Sequence, residues 1–261
     1  MTSSTLLGRR ILVTRARHQA EELMELLRDR GARPISVPVM ELEPLLTEAE
    51  FRLLGEGIAS GRWDDVVFTS ANAVRLVLPQ FPGAETGTRI FTIGPGTAAA
   101  ASRRGWQVEQ LPVSFVAESL AERLLAEGVA GRRMLLPRAE GARELLPGAL
   151  ARAGAELEVV ALYRMRPDRA ARPMLEKALA EPNLDCIVFA SGSSVECFQA
   201  LRGAGALPRA LLVACIGPIT AQVAEGAGLP PGLVAGEHSL VGLVSALEMR
   251  LGPLPENGRQ L

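Results

Sequence analysis

The sequence predicts an α/β protein with parallel sheets, built by tandem duplication into two similar domains. Two observations carry that expectation. Short apolar runs alternate with helical stretches across tight turns, the pattern of strands buried between helices. In addition, Phe91-Thr92-Ile93 runs into Gly94-Pro95-Gly96-Thr97, and Ala214-Cys215-Ile216 runs into Gly217-Pro218-Ile219-Thr220. An alanine-rich helical stretch follows each, so both read as strand, tight turn and helix, with Thr97 or Thr220 near the helix start. Uncovered backbone N–H groups and the positive end of the helix dipole suit such a turn to anionic or polar groups.

Taken in order, Ile11 to Arg15 is a buried strand, and His18 to Arg30 follows with helical spacing of Leu23, Leu26 and Leu27. Gly31 closes that helix. Pro34 to Pro44 reads as extended chain, Leu53 to Ala59 as helix, and Asp65 to Ser70 as strand. A helix opens at Ser70, and another follows the Gly94 turn as far as Arg104. A short strand is expected near Gln107 to Leu111, then a helix from Glu118 to Glu127.

The second half repeats this. Met134 to Arg138 echoes Ile11 to Arg15, and Gly154 echoes Gly31. Ile187 to Ser191 echoes Val66 to Ser70, Gly217 echoes Gly94, and Ser239-Leu240 echoes Ser119-Leu120. The landmarks recur in order at a nearly constant spacing of roughly 120 residues, the mark of a duplication. Two arrangements fit it. If the extended stretches from Ser36 to Leu42 and from Glu158 to Arg166 are crossovers, residues 1–36 and 167–261 form one domain and residues 43–158 the other. Otherwise two consecutive domains meet near residue 131.

Composition removes several classes of function. With 48% hydrophobic and 22% charged residues the chain reads as soluble and globular. A net charge of −1 without a basic block argues against a nucleic-acid surface. No apolar run reaches the ~18 residues of a membrane span. The start, Met1-Thr2-Ser3-Ser4-Thr5, lacks the regions of a signal peptide, so a cytoplasmic location is expected. Cys186, Cys197 and Cys215 are widely spaced and read as structural thiols. With only His18 and His238, and no cysteine–histidine cluster, no metal site is expected. Lys177 is the sole lysine and lies in a charged helical stretch, which leaves no Schiff-base or Walker-type lysine. Gly94-Pro95-Gly96-Thr97 lacks the third glycine of a dinucleotide fingerprint, so NAD is not expected and no cofactor is called for.

In open parallel sheets ligands bind beyond the carboxyl ends of the strands. Each copy supplies three strand-end turns. The first copy offers Thr14 and Arg15, Ser70 and Asn72, and Gly94 with Thr97. The second offers Arg138, then Ser191, Gly192 and Ser193, then Gly217 with Thr220. Two lobes facing each other would form a cleft rich in donors and poor in acids, suited to a polyanion. Against this, Ser70, Ser191, Thr97 and Thr220 also fit plain helix caps, and Arg15 and Arg138 also fit surface ion pairs. His238 is expected on an exposed loop. Tyr163 is the only tyrosine, and its repeat partner is Met40. A phenol facing the cleft would serve as a general acid, while packing in a linking strand is the plainer reading.

With these residues assembled, the chain resembles the uroporphyrinogen-III synthases from about residue 8 to residue 250. The resemblance rests on FTSANAV (68–74), IGPGTA (93–98), PRAEGARELLPGALARAGAELEVVALYR (137–164) and IGPITA (216–221). Ala190 departs from it, since the family often carries a second hydroxyl before the serine. The resemblance implies two α/β domains joined by a two-stranded linker, residues 37–42 and 159–166, and so favours the crossover arrangement. It implies a small-molecule substrate, the linear tetrapyrrole hydroxymethylbilane with its eight carboxylates. That substrate is cyclised with inversion of ring D and loss of water, without a cofactor. Tyr163 would then assist departure of the hydroxyl, and the turn residues would hold carboxylates. A monomer is expected. The rivals are a non-catalytic two-lobed binding protein for a small polyanion and a regulatory domain that keeps the fold.

Overall fold

Two five-stranded sheets carry the chain in the computed structural model, which describes residues 5–78, 87–112, 114, 116–203, 207–208 and 210–252. Met1 to Ser4 and the side chain of His18 lie outside the described residues. The first copy runs β1 (Arg10–Val13), α1 (Arg17–Arg28), β2 (Arg33–Ser36), β3 (Met40–Pro44), α2 (Glu48–Ala59), β4 (Asp65–Phe68), α3 (Ala71–Val77), β5 (Arg89–Thr92), α4 (Pro95–Ser102) and α5 (Ala117–Glu127). The second runs β6 (Arg133–Ala139), α6 (Leu145–Arg152), β7 (Glu156–Pro167), α7 (Arg172–Leu179), β8 (Cys186–Phe189), α8 (Gly192–Arg202), β9 (Leu212–Cys215), α9 (Pro218–Gly226), β10 (Leu233–Val234) and α10 (Leu240–Leu251).

The order in one sheet is β10-β9-β8-β1-β2, and in the other β3-β7-β6-β4-β5. Each sheet therefore mixes strands of both copies. The chain forms two units, Met1–Glu41 with Met165–Leu261 (unit 1) and Leu42–Arg164 (unit 2). The pairs in the first sheet and those among β4, β5, β6 and β7 are parallel. β3 runs against β7: Leu45 N–H donates to Leu162 O at 2.9 Å, whereas Asp168 N–H donates to Val39 O at 3.0 Å.

Burial on both faces explains why these strands read as unbroken apolar runs. In unit 1, Leu12, Ile187 and Val213 face one core cluster, and their neighbours Ile11, Val13, Val188 and Ala214 face another. α1 lays Ala20, Leu23, Met24 and Leu27 on the second cluster at helical spacing. Leu23 and Leu27 are fully buried, and such burial contributes about 1.5–3 kcal/mol per side chain. In unit 2, α5 and α6 cover one face of the sheet through Leu120, Leu124, Leu146 and Leu150 on Val67, Met134 and Leu136.

Three elements differ from the sequence expectation. α2 begins at Glu48 rather than Leu53, because Thr47 and Glu50 close a capping box. No strand forms at 107–111; Glu109 N–H donates to Ile90 O at 2.8 Å, a single bond beside β5. The extended chain from 158 to 166 is the middle of one twelve-residue strand, β7. The repeat partners Met40 and Tyr163 have separate roles: Met40 packs in the unit 1 core, whereas Tyr163 lies in unit 2. The thiols are structural as expected: all three are buried, and burial raises Cys186 strongly and pushes Cys197 and Cys215 up to about 11.

Candidate functional site

The strand-end turns lead into helices that are capped in different ways, by a serine side chain in two of them. Ser70 and Ser191 are N-caps, their Oγ atoms accepting from Ala73 N–H at 3.1 Å and Ser194 N–H at 3.2 Å. Capping is thus part of what both serines do. Thr97 and Thr220 do not cap. Gly94 and Gly217 hold the cap positions of α4 and α9 without any side-chain bond, and proline follows each. The threonines sit in the third helical position and are buried. The proline at the first helical position has no N–H and Thr97 N–H already donates to Gly94 O at 3.1 Å, so the N–H groups of Gly96 and Ile219 are the donors these glycine caps leave for a ligand.

In unit 1 the turns hold Thr14, Arg15, Ser191, Gly192, Ser193, Gly217 and Thr220. Thr14 is fully buried and donates its hydroxyl to Val188 O at 2.9 Å, so the exposed hydroxyl expected there is spent inside the sheet. Arg15 is half-buried, and its Nη1 is buried without a partner. Desolvation lowers its pKa, partly offset by the charge of Glu22. Ser191 and Ser193 share a hydrogen bond at 3.1 Å. Gly192 lets α8 start against α9, since an added Cβ would meet Val223 at 3.0 Å. His238 is exposed, as expected, and its ring covers Gly217, where an added Cβ would meet it at 3.0 Å.

In unit 2 the turns hold Ser70, Asn72, Gly94, Thr97 and Arg138, with Tyr163 on β7. Tyr163 is 4% exposed, and its hydroxyl lies 2.9 Å from Ser70 Oγ. Asn72 is buried and accepts from Arg75 Nη1 at 3.2 Å. A register shift makes the meeting of Ser70 and Tyr163 possible. Arg138 pairs with Ala161 but Ala139 pairs with Tyr163, which leaves Leu162 as an extra residue. Side chains alternate between faces of a sheet, so the extra residue turns Tyr163 to the face of Ala139, away from that of Arg138.

Arg138 is 5% exposed, donates from Nη2 to Glu144 Oε1 at 2.9 Å and leaves Nη1 buried without a partner. Ser70 and Tyr163 are therefore brought together, while Arg138 stands on the other face. Sequence reasoning missed Arg143 and Glu144, which flank Arg138, and it missed the bulge. The charged run Arg138 to Glu144 was the available signal for the first two. Among the described residues no group of His, Cys, Asp and Glu is arranged to hold a metal ion. No described helix is long and apolar enough to cross a membrane.

Comparison with known proteins places this geometry in a family context. Residues 21–245 match the family model described as uroporphyrinogen-III synthase HemD. The chain is 31% identical over 261 residues to the uroporphyrinogen-III synthase of Synechococcus elongatus, covering 95% of this chain and 97% of that one. The fold is similar to that of the Helicobacter pylori uroporphyrinogen-III synthetase, at a TM-score of 0.64, 15% identity and coverage of 93% and 99%. A Thermus thermophilus uroporphyrinogen III synthase structure is similar at a TM-score of 0.60, 21% identity and coverage of 94% and 99%.

Proposed function

Because this chain belongs to the uroporphyrinogen-III synthase family, we propose that its strand-end donors hold the carboxylates of hydroxymethylbilane while Tyr163 protonates the leaving hydroxyl. The enzyme cyclises that linear tetrapyrrole to uroporphyrinogen III, inverting ring D, in tetrapyrrole biosynthesis. The family match favours this over a non-catalytic binding protein. Most of the reactivity belongs to the substrate, so the protein's task is binding and orientation.

The observation that carries the role of Tyr163 is its 2.9 Å contact with Ser70. Ala73 N–H already fills one lone pair of Ser70 Oγ. Either hydroxyl can donate in that contact; in this reading Ser70 donates to Tyr163 Oη, and the phenolic proton is directed onward to the substrate. Its transfer converts the terminal hydroxyl to water, the C–O bond breaks, and the pyrrole nitrogen supplies the electron pair that forms the protonated azafulvene. Ser70 steadies the phenolate that develops. The proton is recovered when the closed ring loses one on regaining aromaticity. Gly94, Thr97 and Asn72 in unit 2, and Arg15, Ser191, Gly192, Ser193, Gly217 and Thr220 in unit 1, serve as carboxylate donors. The enzyme acts in this reading in the cytoplasm and as a monomer, and sedimentation of the purified protein checks the oligomeric state.

The test is Tyr163→Phe, assayed for the type III isomer against the spontaneous type I product. A loss of kcat of about a hundredfold is expected, at the low end for general acid catalysis. Retention of nearly all kcat would remove the acid role and leave Tyr163 a packing residue.

A further inference from the structure

Between α5, α6 and the second sheet lies a cavity of about 160 Å³, lined by Thr69, Ile93, Leu136, Arg138, Arg143 and Leu146 among others. The acid chemistry of Tyr163 makes no use of it. Its wall is aliphatic, and its polar end is the Arg138 guanidinium, whose side chain is 6% exposed. Nη1 is buried without a partner. Nη2 is held by Glu144, a carboxylate that is 83% exposed. A buried guanidinium with an open N–H is costly, and an exposed carboxylate holds it only weakly because water competes for that carboxylate.

Both bordering helices begin at the cavity without a side-chain cap, α5 after Val116 and α6 after Glu144. Each of these ends already carries a carboxylate, Glu118 in the first turn of α5 and Glu144 at the cap of α6, so the open guanidinium and not the helix ends supplies the attraction for an anion. The equivalent residue of the other copy, Arg15, also keeps a buried Nη1 without a partner. An open guanidinium at this strand end is thus kept in both halves of the duplication.

A planar guanidinium fork calls for a carboxylate or a phosphate. The aliphatic wall decides between them, because a bare anion would leave Ile93, Leu136 and Leu146 without contacts. The volume is close to that of an engineered cavity of about 150 Å³ that accepts benzene, so a short acyl chain fits inside. We propose that this cavity receives one carboxylate-tipped aliphatic arm of the substrate. Arg138 binds the carboxylate in place of Glu144, and the wall takes the methylenes. The inference rests on the synthase reading for the source of that arm, but not for the chemistry of the site.

The experiment uses the full-length protein with simple sodium salts as probes, read by NMR of the 15N-labelled arginine side chains. Acetate, propanoate and butanoate are expected to shift the Arg138 signal with affinity rising about fourfold per methylene. Inorganic phosphate should bind more weakly than propanoate, and Ala142→Leu, which fills the cavity from its wall, should abolish the response. A flat series, or phosphate binding as tightly as propanoate, would overturn the proposal in favour of an unspecific anion contact.

In turnover, Arg138→Gln is expected to raise KM by about ten- to a hundredfold, the range of a charge-assisted hydrogen bond, with kcat within about threefold. Arg138→Lys should fall between, keeping the charge but losing the fork. Should Arg138→Gln fail to fold, Ala142→Leu carries the test with the guanidinium intact. Unchanged KM in these variants, or a fall in kcat alone, would sink the subsite. A wild-type protein that makes no type III isomer would instead sink the synthase reading, while the acid titration would still decide the site.

Discussion

β4 and β8 occupy the same place in the two copies, yet one starts on a carboxylate and the other on a thiol. Asp65 and Cys186 are both fully buried. Across the sheet Asp65 lies in register with Arg89, whereas Cys186 lies in register with Leu212. Arg89 Nε donates to Asp65 at 2.7 Å, and Arg132 donates from Nη2 at 2.7 Å and again from Nε. Arg9, which stands where Arg132 does in the repeat, donates to Asp185 and to the carbonyls of Leu251 and Gly252. The duplicated scaffold thus accepts either a paired charge or none at one buried position. The residue in register decides which of the two is stable.

Exchanging the two residues tests this most sharply. Cys186→Asp buries a carboxylate in the apolar cluster that holds Ile11, Val13 and Ala214, and a loss of at least about 4 kcal/mol in urea unfolding at pH 7 is expected. Such a carboxylate has a folded pKa above its unfolded value of about 3.9, so the penalty grows as pH rises above that value. The gap to the parent protein should therefore narrow as pH is lowered from about 7 toward 4. Asp65→Cys should lose only about 2 kcal/mol, less than a fully buried pair, because Arg89 and Arg132 are about one-third exposed and can turn to water. Equal losses in the two variants would mean that the arginines contribute nothing and that the comparison is empty.

The other end of the same strands differs in a second way. Ser70 shares its hydroxyl with Tyr163, and Ser191 shares its hydroxyl with Ser193. Both serines cap helices, so Ser70→Ala and Ser191→Ala should each cost about 1 kcal/mol in unfolding. Their kinetics should part. Ser70→Ala is expected to lower kcat about tenfold by loosening the phenol. Ser191→Ala should raise KM instead, as a carboxylate donor would. A matching fall in kcat for both would erase the distinction between the units.

Much of this was legible in the sequence, and the reasons are local. Asp65-Val66-Val67-Phe68 and Cys186-Ile187-Val188-Phe189 read as strands because burial on both faces leaves no polar alternation. The Gly-Pro turns and the serine caps are set by one or two residues each. What stayed hidden depends on partners far along the chain. A one-residue bulge in β7 carries no compositional mark, yet it decides which face Tyr163 takes. The inward turn of Thr14 requires knowing that β8 lies beside β1. The strand expected at 107–111 failed because a single backbone bond holds it, whereas its counterpart in the other copy forms β10.

The smallest expected effect lies just outside those buried starts, where Asp64 and Asp185 again mark equivalent positions. Both carboxylates accept a backbone N–H, from Arg133 at 2.9 Å and from Arg10 at 2.8 Å. Asp64 also accepts from Arg133 Nη2 at 2.7 Å. That side-chain bond, followed by the backbone bond, lowers its pKa from 3.8 to about 2. A depressed folded pKa stabilises the protein above the unfolded value and loses that contribution as pH falls through the folded one. The advantage of the parent protein over Arg133→Gln should therefore be constant above about pH 4 and fade between there and about pH 2. The Asp64 and Arg133 side chains are 35% and 50% exposed, so about 0.5 M salt should shrink the difference at neutral pH as well. A difference that survives undiminished at pH 2 would show that Arg133 acts by packing its stem, not by its charge.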